Sequence, residues 1–307
     1  MASTLIPFDS NHLKLYTANM KIRLLDFKEN TEYPSGSGIE YYNGQVYLAG
    51  DDAADILVMD KKWNEIQRIK IFENFDDRMP KDQKSDLEAT TLVIQNEIPF
   101  MLILGSGSRE QHRNKAIMVN LESNNFAEYN IEAFNNRLRE SGIEDLNIES
   151  AAVVEDLLVL GNRANKNNPL NQVIITEPDF WNHPDTAEIR VLPIELENGS
   201  ALSGMSYSEK NDCLLFTAST ETTDKSYDDG RIGESYFGVI ENAYRKLYRK
   251  RVKINEQVIL SEIHEEFKGH KIESVCIQTD KTGRLKLHLV ADDDRGVTFL
   301  FKILARF

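Results

Sequence analysis

Five residues lead five similar phrases, and they are the ones whose types and spacing could do chemistry. The phrases are Ser37-Gly38-Ile39-Glu40-Tyr41, Glu88-Ala89-Thr90-Thr91-Leu92, Glu149-Ser150-Ala151-Ala152-Val153, Ser203-Gly204-Met205-Ser206-Tyr207 and Glu273-Ser274-Val275-Cys276-Ile277. Each opens on Glu or Ser and continues in small or apolar residues. If the phrases are equivalent pieces of a repeat, Glu88, Glu149 and Glu273 converge. Carboxylates brought together need a cation, an Arg partner or a raised pKa. A hard cation is one answer, because calcium takes six to eight oxygens from carboxylates, carbonyls and water. On that reading Glu88, Glu149, Glu273, Asp51 and Asp292 are metal ligands and calcium is the expected ion. Ser37, Ser203, Arg109, Asn162, Arg163 and Arg295 would then contact a ligand, the arginines as clamps on phosphate or carboxylate. The competing expectation has no ligand at all. Each Glu then caps a strand start and pairs with an Arg from the next repeat, as a device of the fold.

The elements that must position these residues are strands. After each phrase comes a second apolar run ending in a polar cluster: Leu48–Asp52, Leu104–Ser106, Leu160–Arg163, Thr217–Ser219 and Val290–Asp293. A third run follows each time: Ile56–Met59, Ala116–Val119, Val173–Ile175, Tyr236–Ile240 and Val297–Phe301. The phrases start at 37, 88, 149, 203 and 273, so a repeat is about 50–70 residues long. A strand repeat of that length reads as a propeller blade. Fourth strands are predicted at Glu65–Phe72, Phe126–Ile131, Ala187–Pro193 and Val252–Leu260, where β-favouring residues cluster. The fifth repeat has no room for one. A strand of the right type, Met20–Phe27, stands before the first phrase, so the expected fold is an all-β, five-bladed β-propeller closed by that N-terminal strand. A sixth blade is the alternative, and of residues 1–19 only Leu13–Tyr16 is eligible for it. Helix is expected only at Ala133–Glu140 and Glu241–Lys250, inside connections. The connections on the face where the phrases start are long. Those on the opposite face are tight, Asn43-Gly44 being a hairpin signal. Binding residues are therefore expected on the long-loop face.

Bulk composition bounds the rest. At 307 residues with 41% hydrophobic content the chain folds as one domain, 1–307. Fifty acidic against 36 basic residues give a net charge of −14, which disfavours nucleic acid and anionic membranes as partners. The one cationic run, Arg245–Arg251, reads as a solvated face. Cys213 and Cys276 fall on different strands and read as two buried thiols. No apolar run reaches membrane-spanning length and no charged-then-apolar leader opens the sequence. The expectation is a soluble monomer, cytoplasmic as written, or periplasmic or secreted if a leader was removed.

Asp86-Leu87-Glu88-Ala89-Thr90 and Ser37-Gly38-Ile39-Glu40-Tyr41 resemble the strand starts of the esterase-like phytase and SdiA-regulated propeller families, and Ile148–Ala151 and Ile272–Val275 look like weaker copies. The chain departs from that pattern in having Ser at 37 and 203 and no legible phosphate site. Similar strand starts occur in calcium-dependent lactonases. The resemblance implies the propeller and, as one expectation, a metal-assisted hydrolase of a small phosphate or sugar-linked ester. The other expectation is a non-enzymatic binding module for a small molecule, glycan, peptide or protein at the long-loop face.

Overall fold

In the computed structural model, residues 20–75, 78–109, 111–221, 232–292 and 296–307 are described. The chain enters through β1 (Lys21–Asn30), which belongs to the last blade. Blade 1 is β2 (Gly36–Tyr42), β3 (Gln45–Gly50), β4 (Asp55–Asp60) and β5 (Glu65–Lys70). Blade 2 is β6 (Leu87–Gln95), β7 (Ile98–Gly105), β8 (Lys115–Asn120) and β9 (Phe126–Asn130). Blade 3 is β10 (Ile148–Val154), β11 (Leu157–Asn162), β12 (Asn171–Thr176) and β13 (Arg190–Ile194). Blade 4 is β14 (Ala201–Ser208), β15 (Cys213–Glu221), β16 (Ile232–Glu241) and β17 (Glu256–Ile259). Blade 5 is β18 (Lys271–Lys281), β19 (Arg284–Asp292), β20 (Thr298–Arg306) and then β1. The fold is the five-bladed propeller that the repeats predict. Closure also follows the prediction: β1 pairs antiparallel with β20, Phe27 opposite Phe301. The sixth-blade alternative falls, because the described residues make five sheets; Leu13–Tyr16 lies outside them.

The five first strands form the inner ring, each packed between its two neighbours, with β18 against β2 to close it. Middle strands are sandwiched between blades, which is why they read as continuous apolar runs: β4, β7 and β8 are almost wholly buried. Outer strands are more exposed, β9 most of all. Asn43 and Gly44 both take positive φ (45° and 87°), as the tight hairpin between β2 and β3 demands.

Each inner strand is tied to the blade before it through the backbone N–H that precedes its lead residue. Gly36 N donates to Thr298 Oγ1 (2.9 Å), Leu87 N to Asp51 O (3.3 Å) and Ile148 N to Ser106 O (2.8 Å). Leu202 N donates to Asn171 Oδ1 (2.8 Å) and Ile272 N to Ser235 Oγ (3.0 Å). Five bonds, one per seam, thus circle the molecule, each stabilising by about 1 kcal/mol.

Departures from expectation are local. β17 starts at Glu256, four residues later than predicted, because Val252 instead bridges to Ile194 beside the edge of blade 3. Helix α1 (Glu132–Glu140) forms as predicted, burying Phe134 and Leu138, with Phe134 4.3 Å from the Phe180 ring. Helix α2 (Ala243–Lys246) is far shorter than Glu241–Lys250. Continuing it would stack Arg245 on Arg249 and Lys246 on Lys250, like charges four apart. Helix α3 (Leu260–Ile263) was not anticipated. Cys213 and Cys276 are buried and unbridged. Among the described residues no helix is long and apolar enough to cross a membrane.

Candidate functional site

All five lead residues sit at the same irregularity. In every blade the register between first and second strands slips by one residue, and the extra residue is Ser37, Glu88, Glu149, Ser203 or Glu273. A bulge leaves its extra residue out of the ladder and re-aims its side chain. The repeated phrase is therefore the signature of a repeated bulge at the start of the inner strand.

The five then divide by chemistry. The two serines are spent on the fold. Ser37 Oγ donates to Leu87 O of blade 2, and Ser203 Oγ donates to Ile272 O of blade 5 (2.6 Å). The glycine after each serine lets the next blade approach. A Cβ on Gly38 would lie 2.2 Å from Thr90 Cγ2, and one on Gly204 2.7 Å from Ser274 Cα. Ser37 and Ser203, expected to contact ligand, are thus inter-blade staples.

The three glutamates differ in their partners, and the residue two places earlier sets the difference. In blade 3, Asn147 Nδ2 donates to Glu149 Oε1 (2.6 Å) and Arg163 reaches Oε2 (3.3 Å). Arg163 also donates to Ser219 Oγ of blade 4 (3.3 Å). In blade 5, Lys271 lies 2.9 Å from Glu273. In blade 2 that position holds a second acid, Asp86. Burial, then Glu149, Asp86 and Asp51, drive the Glu88 carboxyl well above the usual range, with Lys84 pulling partly back. Glu88 is half-buried.

Around Glu88 is a compact polar cluster. Asp51, Asp86 and Glu88 offer carboxylate oxygens within 4.8 Å of one another. Lys84 binds Asp51 and lies 2.9 Å from Asp86. Burial would lower the Lys84 ammonium, but Asp51, Asp86 and Glu88 together hold it above its ordinary value. Asp86, buried at a positive φ of 54°, also accepts from Arg113 (2.6 Å) and from Ser106 Oγ. Burial works against its ionisation, yet Lys84 and Arg113 hold its carboxyl below the usual range. Burial, only partly offset by Lys84, pushes Asp51 up to about 6. Beside the cluster and sharing Ser108 with it (Ser108 Oγ to Asp86, 3.4 Å) is an open hollow of about 470 Å³, lined by Ser108, Arg109, Gln111 and Arg139.

The remaining candidates are dispersed. Asn162 holds the loop before β10, accepting from Asn147 N (2.7 Å) and donating to Gln172 (3.2 Å). Asp292 is buried at the end of β19, where its charge acts on Arg78, the partner of Asp52. Arg295 lies outside the described residues, as does Asp293. The three glutamates therefore do not form one ligand set: Glu149 and Glu273 have cationic partners of their own, and the oxygens that gather are those of Asp51, Asp86 and Glu88. The sequence reading missed Lys84, Asp86, Arg113 and Lys271. The signal for two of them was present, since Asp86 and Lys271 each stand two before a lead Glu.

The chain belongs to the Family of unknown function (DUF6929), which it matches over residues 32–304. No curated relative matches it. Among solved structures it is similar to the tail fibre of Staphylococcus aureus phage P68, at TM-score 0.49 and 11% identity over 94% of this chain and 53% of that one. It spans, then, about half of the tail-fibre chain. It is similar also to the β-propeller domain of Myceliophteria thermophila Cps50 (Swd1), at TM-score 0.38 and 9% identity over 87% of this chain and 67% of that one. Streptogramin B lyase follows at TM-score 0.39 and 10% identity, over 92% of this chain and 96% of that one. The family that matches is one of unknown function, and membership of the phytase or SdiA-regulated families that the strand starts resemble is not confirmed.

Proposed function

We propose that this propeller is a binding module that takes a small hydroxylated ligand carrying one anionic group, such as an acidic sugar, at its long-loop face. The observation that carries the proposal is charge matching around the bulges. Asp51, Asp86, Glu149 and Glu273 are balanced by Lys84, Arg113, Arg163 and Lys271, and Glu88 is held toward its neutral form. A charge-neutral rim rich in donors and acceptors suits hydroxyl groups, with a protonated Glu88 able both to donate and to accept. The adjoining hollow adds Arg109 and Arg139 for a carboxylate or phosphate. A metal-assisted, phytase-like or lactonase-like hydrolase has less support, because Glu149 and Glu273 already have cations.

The test is thermal unfolding with D-glucuronate, D-glucose or inorganic phosphate, on the parent and on Arg109→Ala. Glucuronate at 100-fold over its Kd should stabilise the parent by about 2.7 kcal/mol, and less in the variant. A melting temperature unmoved by all three probes overturns the proposal.

A second reading keeps a divalent cation, calcium, at Asp51, Asp86 and Glu88. The observation favouring it is their mutual closeness, together with a buried Asp51 Oδ1 that accepts no hydrogen bond among the described residues. Against it, the Lys84 ammonium already occupies Asp51 and Asp86, and an ion would have to displace it. A calcium-dependent rise in melting temperature, reversed by chelator and abolished by Glu88→Gln, would decide for the cation.

A further inference from the structure

On the face opposite the bulges, the connection between the third and fourth strands of blade 4 concentrates positive charge. Ala243–Lys253 contains six basic residues and no acidic one; taking these six from the net −14 leaves −20 on the rest of the chain. Arg245, Arg249, Lys250, Arg251 and Lys253 are exposed. The segment is anchored: Leu247 and Val252 are buried in the core between blades 3 and 4, and Val252 N donates to Pro193 O (3.0 Å). Its tyrosines are ordered too, with Arg190 5.0 Å from the Tyr248 ring and Tyr248 edge-on to Tyr244. Arg251 and Lys253 line a groove of about 300 Å³ together with Pro193, Val252, Ile254 and one acid, Glu195.

We infer that this patch docks a short acidic polypeptide segment of a partner protein, with one apolar side chain seated in the groove. Charge complementarity makes the case. Five exposed cations sit on an anchored backbone, so binding has to order their side chains but not the segment that carries them, and they are the one strongly basic stretch of an acidic sequence. A short segment can remain on the patch. A nucleic acid carries charge continuously along its length and would run onto the surrounding negative surface. Stacking on Tyr248 is not offered either, because Arg190 and Tyr244 already contact its ring. A membrane would need apolar residues to insert, and of the large exposed hydrophobics only Tyr248 belongs to the patch.

The experiment is fluorescence anisotropy with a labelled octapeptide of Glu and Asp bearing one central Leu, against a dT12 oligonucleotide and a Lys/Gln peptide of equal length. The parent should bind the acidic peptide best, and the affinity should fall as salt rises. The triple variant Arg249→Glu, Lys250→Glu, Arg251→Glu alters exposed side chains only; its unfolding midpoint checks the fold, and it should weaken binding at least tenfold. Failure of the acidic peptide to bind at low salt, or equal binding by the triple variant, overturns the inference. So does dT12 binding as tightly as the peptide, or a salt-sensitive self-association that the triple variant abolishes, since the occupant is then nucleic acid or a second copy. If the triple variant unfolds, the single Arg251→Glu carries the same test.

Discussion

Glu40 offers the sharpest test of how buried acids behave in this propeller. It lies three residues after the first bulge, is 7% exposed, and receives one hydrogen bond, from Thr90 Oγ1 of blade 2 (3.2 Å). Burial raises its carboxyl to about 8, and the Thr90 bond pulls only partly back. In the unfolded chain it titrates near 4.5. The folded protein therefore binds the extra proton across that window. The stability this contributes is fully present below about pH 4.5 and is lost as pH rises through about 8. One proton corresponds to about 1.4 kcal/mol per pH unit, so the ceiling for the whole window is about 4–5 kcal/mol, less if the site relaxes. Glu40→Gln keeps the shape and removes the titration. Urea unfolding of parent and variant should be compared between pH 5 and 9. The variant is expected within about 1 kcal/mol of the parent at pH 5. Its relative stability should then grow by up to about 1.4 kcal/mol per unit and level off beyond pH 8. Glu88 and Asp51 are raised in the same direction but are common to both proteins, so the difference isolates Glu40. Parallel pH curves for the two proteins would refute the reasoning.

Gly204→Ala would place a Cβ 2.7 Å from Ser274 Cα and 3.0 Å from Glu273 O, so it should cost at least about 2 kcal/mol in chemical unfolding. An unchanged midpoint would mean that the seam between blades 4 and 5 yields. Deleting residues 1–30 removes β1, leaves β20 as an open edge and should abolish the single cooperative transition; a sharp, unshifted melt would show that the last blade stands on three strands.

How far the sequence could be read depends on how far apart the partners lie. Blade number, strand order and closure were legible because they rest on repetition and on alternation within short windows. The bulge was only half legible: the repeated phrase marks its place, but only the strand pairing shows that each lead residue is the one left out of the ladder. Ser37 and Ser203 invited a ligand role because a leading hydroxyl looks available. Their acceptors lie 50 and 69 residues away, in another blade. Lys84 and Arg113, which sit on Asp86, occupy the connection before β6 and the approach to β8, where no local pattern marks them as neighbours. The Glu241–Lys250 helix failed for a reason the sequence does hold, the like charges four apart.

A partner that could have been read is the residue two before each lead Glu. Asn147 and Lys271 bind the acid that follows them across the bulge, whereas Asp86 repeats the charge of Glu88. Among the three lead glutamates, the one in blade 2 is therefore the one whose preceding partner is an acid, and its carboxyl is raised well above the usual range. Symmetry alone would put a site equally against all five blades. Where the repeat departs from symmetry, with Asp in place of the Asn or Lys before the other two glutamates, Lys84 and Arg113 pair with that Asp and Lys84 also pairs with Asp51. The Arg109 hollow opens next to that cluster through Ser108. For this reason substitutions at Glu88 and Asp86 should alter what the long-loop face binds, while Glu149 and Glu273, each already bonded within its own blade, should report chiefly on stability.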